Sequence, residues 1–173
     1  MEITVGMKAE VFSFVEKEDT AKEVGSGSLL VYATPCMVAL MEGAACEAIE
    51  EAMGDDKTSV GTELNIQHIS ATPVGMDVRA EAVVTAVDGK VVTFEVHAYD
   101  ESGEIGRGTH KRVIVPTQKF LEKAYNKSNG KLLVNTTYTN KMIKKYEKNY
   151  DDIEELYEVY DDLLEMFDED MED

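Results

Sequence analysis

No stretch of this sequence approaches the roughly 18 consecutive apolar residues that a membrane-crossing helix needs, so the chain reads as soluble. Its start, MEITVGMKAE, lacks the basic opening and apolar core of a secretory signal, which makes the cytoplasm the expected address. Cysteine is scarce. The two present, Cys36 and Cys46, lie ten positions apart on one expected helix, about 15 Å of rise, so they cannot bridge each other and reduced thiols are expected. Positive charge is outnumbered as well. With 17 Lys and Arg against 35 Asp and Glu, the net charge of −18 argues against nucleic acid as a partner.

The 173 residues are enough for one domain with a real core plus an appendage, and the 43% hydrophobic content is that of a globular chain. The acidity is concentrated at one end. Asp151 to Asp173 holds 13 acidic residues and no Lys or Arg, leaving a net charge of only −5 on the first 150 residues. Small and polar residues cluster in NKSNGK, Asn126 to Lys131, after strand-like alternation has stopped. A boundary there gives two expected parts, residues 1–128 and an acidic extension, residues 129–173. No internal repeat is visible.

The first part reads as one strand, one helix, then a run of strands. KAEVFSFV alternates as a strand, and DTAKEVGSGS reads as a loop or short helix leading onward. Thr34 suits a helix N-cap, Pro35 the first helical position and Gly54 the end, so Thr34 to Met53 reads as about five turns. Its nearly continuous apolar surface implies burial. SVGTELNIQHIS, MDVRAEAVVTAV, KVVTFEVHAYD and EIGRGTHKRVIV follow as strands, joined by ATPVG, an Asp88-Gly89 hairpin signal and ESG. One helix feeding four antiparallel strands implies an α+β layer, with the sheet wrapping the helix.

Against that background three polar residues stand out. Glu42 is the lone carboxylate in the apolar stretch from Pro35 to Cys46, and Thr34 opens the same helix. In the strand that follows, strict alternation puts Val60, Thr62, Leu64, Ile66 and His68 on one face and Gly61, Glu63, Asn65, Gln67 and Ile69 on the other. His68 thus falls on the apolar, helix-facing side. Convergence of Thr34, Glu42 and His68 would explain a buried charge through its partners and a catalytic task. Each also has a plainer explanation: Thr34 a helix cap, Glu42 turned to a solvent edge, His68 a strand-end residue bonded to a carbonyl. Cys36, in the first helical turn, is a rival nucleophile if its thiol is acidified, and otherwise a small core residue. Gly106 and Gly108 lie inside a strand pattern, which favours close approach of another element over a phosphate loop.

Taken in order, ATP followed by Glu42, then VGTELNIQHISATPVGM, then GKVVTFEVHAYDESGEIGRGTHKR resembles the hot-dog-fold thioesterases related to fluoroacetyl-coenzyme A thioesterase, over roughly residues 1–127. The resemblance implies a long central helix wrapped by an antiparallel sheet, dimerisation, and acyl-coenzyme A bound at the subunit interface. It implies a catalytic Thr opening the helix, a Glu two turns on and a His on the next strand, which fall on Thr34, Glu42 and His68. It further implies substrate contacts from a strand Gly and an Arg of the last strand, here Gly61 and Arg112. Two departures accompany it. GSGSLL, Gly25 to Leu30, lacks the aromatic lid residues of the fluoroacetyl enzyme, and the acidic extension has no counterpart.

The expected function is hydrolysis of a small acyl-CoA to free acid and CoA, with no metal and no cofactor beyond the CoA of the substrate. A non-catalytic acyl-CoA-binding module and an acidic interaction protein are the alternatives. Hydrolysis needs an activated nucleophile, donors for the developing oxyanion and a proton for the leaving thiolate. Glu42 or His68 can be the base. About 12 Å of helical rise separates Thr34 from Glu42, so either His68 mediates between them or a neighbouring subunit supplies one member. Arg107, Lys111, Arg112, Lys119, Lys123 and Lys127 cluster in sequence as a phosphate patch for CoA, or as a solvated face. In the extension, Ile143, Tyr146, Tyr150, Ile153, Tyr157, Tyr160, Leu164 and Phe167 recur at steps of three and four, a heptad seam. Its basic start and acidic end suit antiparallel pairing with a second copy, and a fold-back onto the same chain or a partly disordered end is the alternative.

Overall fold

Alternation is clearest in the third and fourth strands, and these form the floor of the core. The computed structural model describes residues 2–128. The heptad seam and the acidic extension lie outside them. Five strands, β1 (Lys8–Phe14), β2 (Lys57–His68), β3 (Asp77–Asp88), β4 (Val91–Asp100) and β5 (Gly103–Pro116), form one antiparallel sheet in the order β1-β3-β4-β5-β2. Helices α1 (Thr34–Glu47) and α2 (Glu50–Met53) lie between β1 and β2, and α3 (Thr117–Tyr125) follows β5. One compact unit runs Met1–Glu122.

On β3, Val78, Ala80, Ala82 and Val84 point inward, and on β4 Val92, Phe94, Val96 and Ala98 do the same. The two central alanines of β3 keep that surface low, so the large side chains Met37 and Met41 of α1 fit against the sheet with Ala44 and Ala45. All four of these helix residues are buried. Gly106 of β5 serves the same packing, since a Cβ there would sit 2.5 Å from Met37 Sδ and 3.2 Å from Met41 Cε. A Cβ on Gly108 would run into the backbone carbonyl of Asn65. Both glycines therefore permit close approach, as the strand pattern implies.

The helix differs from its expected form in three ways. Ala33, not Thr34, is the N-cap, and no side-chain bond caps the helix, so the Thr34 hydroxyl is free for another partner. The five turns are interrupted at Ile49, whose buried side chain and whose N–H, donating to the Cys46 carbonyl, tighten the end of α1 before α2 begins. Gly54, at φ 75°, ends α2 as its position predicts. Burial is also one-sided: Met37, Met41, Ala44 and Ala45 are covered, while Ala39 is exposed and Val38, Leu40, Gly43 and Cys46 are only partly covered.

The phase of β2 needs a larger correction. Its pairing with β5 slips between Gly61 and Glu63, so Gly61 faces Arg112 and Leu64 faces His110, with Thr62 as the extra residue. A bulge reverses alternation for everything beyond it. Ser59 and Gly61 before the bulge and Ile66 and His68 after it consequently share the helix-facing side. Strict alternation separates Gly61 from His68; the bulge reunites them.

Candidate active site

The first turn of α1 presents Thr34 to the end of β2, where Thr34 Oγ1 lies 2.8 Å from His68 Nδ1. One of these atoms donates and the other accepts, according to the imidazole tautomer. His68 is half-buried, and burial holds its pKa below the ordinary imidazole value, a backbone group of Ser70 opposing only in part. The imidazole is therefore neutral around pH 7 and available as a base. Its Nε2 is shielded from solvent and has no hydrogen-bond partner among the described residues.

Two turns further along α1, Glu42 belongs to a second cluster. Its Oε2 accepts from Arg112 Nη1 at 3.1 Å and lies 3.6 Å from His110 Nε2. Arg112 is almost fully buried and donates also from Nε to Ser59 Oγ and from Nη2 to the Ser59 carbonyl, both at 2.8 Å. The inner face of β2 has to be bare at Gly61 for this cluster to form, because a Cβ there would collide with the Glu42 carboxylate and come within 3.1 Å of His110 Cε1. Glu42 is thus neither an orphan charge nor a free surface carboxylate: its side chain is 34% exposed and held by a buried guanidinium.

The structure brings Thr34 and His68 into contact and brings Glu42, Gly61 and Arg112 into contact. Ser59 and His110 are the members that sequence reading passes over. A period-two signal was present for both. His110 and Arg112 alternate onto one face of β5, and Ser59 precedes Gly61 by two, but neither polar type stands out in a strand until the buried Arg112 is seen to need partners.

Cys36 is partly buried, and burial together with the neighbouring Asp19 pushes its thiol pKa up. That is the wrong direction for a resting thiolate nucleophile. The row of cations near β5 is also broken up: Arg107 pairs with Glu104 at 3.2 Å and Lys111 with Glu63 at 3.0 Å, while Arg112 is no surface charge at all. No group of three or more His, Cys, Asp or Glu is placed to hold a metal ion among the described residues, and no helix among them is long and apolar enough to cross a membrane.

The model of the fluoroacetyl-CoA-specific thioesterase family matches residues 15–118, which include every residue of both clusters. The chain belongs to this family. A fluoroacetyl-CoA thioesterase of Streptantibioticus cattleyicolor is 37% identical over 98 residues, covering 57% of this chain and 70% of that protein. A solved fluoroacetyl-CoA thioesterase superposes with a TM-score of 0.69 at 30% identity, covering 73% of this chain and 98% of the other. A thioesterase superfamily member from Thermus thermophilus gives 0.67 at 29% identity, covering 77% and 98%. The hot-dog fold expected from the sequence is therefore the fold observed: one sheet curved around α1, with both polar clusters on the inner side of β2 and β5.

Proposed function

We propose that this family member hydrolyses the thioester of a small acyl-CoA to the free acid and CoA, with Thr34, Glu42 and His68 as catalytic residues and Gly61 and Arg112 as substrate-binding residues. The observation that carries the reading is the 2.8 Å contact between Thr34 Oγ1 and a neutral His68, set at the open start of α1. If the hydroxyl donates, His68 Nδ1 takes its proton and the Thr34 oxygen becomes the nucleophile. If Thr34 instead orients a water, that water takes the place beside Nδ1 and gives its proton there. Either route adds oxygen to the thioester carbonyl, breaks the C–S bond and returns the proton from the imidazolium to the CoA thiolate. A route through Thr34 then needs water to hydrolyse the acyl-Thr34 ester.

Glu42 serves as a carboxylate fixed against Gly61, where it can orient water and take its proton. The proposal needs no metal or further cofactor. It places the chain in the cytoplasm as a homodimer or larger homo-oligomer. Two features support assembly: the apolar face of α1 left open in the single chain, and the twelve-residue edge strand β2, bonded to β5 on one side only among the described residues. A thiol-release assay across acyl-CoA chain lengths tests the activity. Binding of acyl-CoA without release of thiol would instead make the chain a binding module, and rapid quench for an acyl-protein ester separates the two roles of Thr34.

A further inference from the structure

Arg112 Nη1 has two hydrogens. One goes to Glu42 and the other points at His110 Nε2, 3.1 Å away. The arrangement at His110 admits one neutral tautomer only. Its Nδ1 lies 2.9 Å from the backbone carbonyl of Glu63, and a carbonyl can only accept, so Nδ1 carries the ring proton. Nε2 is then a bare acceptor, and Arg112 is the donor it needs. The ring has little freedom: it is fully buried, stacked on Phe94 with centroids 6.1 Å apart, and a Cβ on Gly61 would come within 3.1 Å of its Cε1.

We propose that His110 is a positioning residue for the reaction, a neutral acceptor that orients the Arg112 guanidinium and through it fixes the Glu42 carboxylate against Gly61. The inference rests on the assignment of Glu42 above. The groups facing His110 are Arg112 on its own strand, Glu42 from α1, the Glu63 carbonyl from β2 and the Phe94 ring from β4. Burial, with the Arg112 charge acting the same way, keeps His110 neutral, while the Glu63 carbonyl and Glu42 oppose. A protonated ring would turn an N–H toward the guanidinium, cancel the acceptor and compete for Glu42 Oε2, so the neutral form is the one that does the positioning.

Two amide substitutions separate this role from simple structural support. In His110→Gln the terminal oxygen falls where Nε2 lies and can accept from Arg112, at the expense of the Glu63 bond. In His110→Asn the amide nitrogen falls where Nδ1 lies, keeps the Glu63 bond and leaves Arg112 without its acceptor. The expected result is that Gln keeps kcat within about fivefold of wild type, whereas Asn loses about tenfold or more with little change in KM, the signature of a disturbed supporting residue. Made on top of Glu42→Gln, the same Asn change should cost less than about twofold, because residues acting as one unit are not additive. Rescue by Asn but not Gln, or an Asn loss of equal size with and without Glu42, overturns the proposal. Urea unfolding of wild type, His110→Asn, Glu42→Ala and the double variant gives a second cycle that needs no activity, because alanine, unlike glutamine, takes the acceptor away from Arg112, and non-additive stability is expected. Wild type that releases no thiol overturns the hydrolase reading, and an additive unfolding cycle overturns the tether independently.

Discussion

Glu42 shows how a carboxylate can be tolerated in the apolar stretch between Pro35 and Cys46: a single nitrogen of a buried guanidinium meets it at 3.1 Å. Glu42→Gln keeps an oxygen that accepts from Arg112, so the fold should survive while the charge is lost. Turnover is expected to fall roughly 10²-fold, the scale of general-base loss, and a folded variant with wild-type turnover would remove Glu42 from the catalytic set. His68→Ala should abolish most thiol release by taking away the partner of Thr34. Cys36→Ala should retain most of it, and alkylation that inactivates wild type but not Cys36→Ala would reinstate a cysteine nucleophile. The two depressed imidazoles also set a pH dependence. Both His68 and His110 bind protons less readily in the folded chain than in the unfolded one. Their contribution to stability is therefore fully present above the ordinary imidazole pKa, about 6.5, and is lost as pH falls from there through the lower folded values. Urea midpoints should decline below about pH 6.5, and less steeply in His110→Gln, which has no proton to gain.

At the scale of elements, the bulge in β2 decides which residues meet. Without Thr62 as an extra residue, Gly61 and His68 would lie on opposite faces, and the two clusters could not share the inner side of the sheet. Two glycine substitutions probe different consequences of this packing. Gly61→Ala puts a methyl group into the space of the Glu42 carboxylate, which has one partly exposed side and can shift. Its main effect should be on kcat, with a modest drop in melting temperature. Gly108→Ala confronts the rigid carbonyl of Asn65 on the paired strand. It should instead lower stability by about 1–3 kcal/mol or more, the range for overpacking. Equal melting temperatures for the two variants would show that β2 is freer to move than its ladder implies.

For the molecule as a whole, assembly is the question that a single chain leaves visible on its surface. The open side of α1, the exposed Leu64 of β2 and Ile69 just after it are apolar area that a second copy can cover. The extension, outside the described residues, carries in its sequence a heptad pattern with its own charge gradient. Deleting Thr139 to Asp173 is expected to lower the oligomer mass measured by light scattering and to remove its dependence on salt, while thiol release continues. Identical mass and salt response with and without those residues would exclude the extension from assembly, and loss of hydrolysis would tie it to the site.

Local period and residue type determined a great deal by themselves. The five strands, the helix opening at Thr34, the Asp88-Gly89 hairpin and the apolar inner face of β3 and β4 are all written in patterns a few residues long, because backbone geometry repeats on that scale. Thr34 and His68 could be paired in advance, since a helix start and the inward phase of the next strand suffice to bring them near. The tertiary structure alone decided where Glu42 goes. Its tie to Arg112 spans 70 positions and depends on a bulge that shifts the face of β2, on a bare glycine opposite, and on a buried histidine with one available tautomer. Neither the bulge nor the tautomer has a local period. Each serves one buried cation whose donors need acceptors, a requirement that exists only once water has been excluded from the fold.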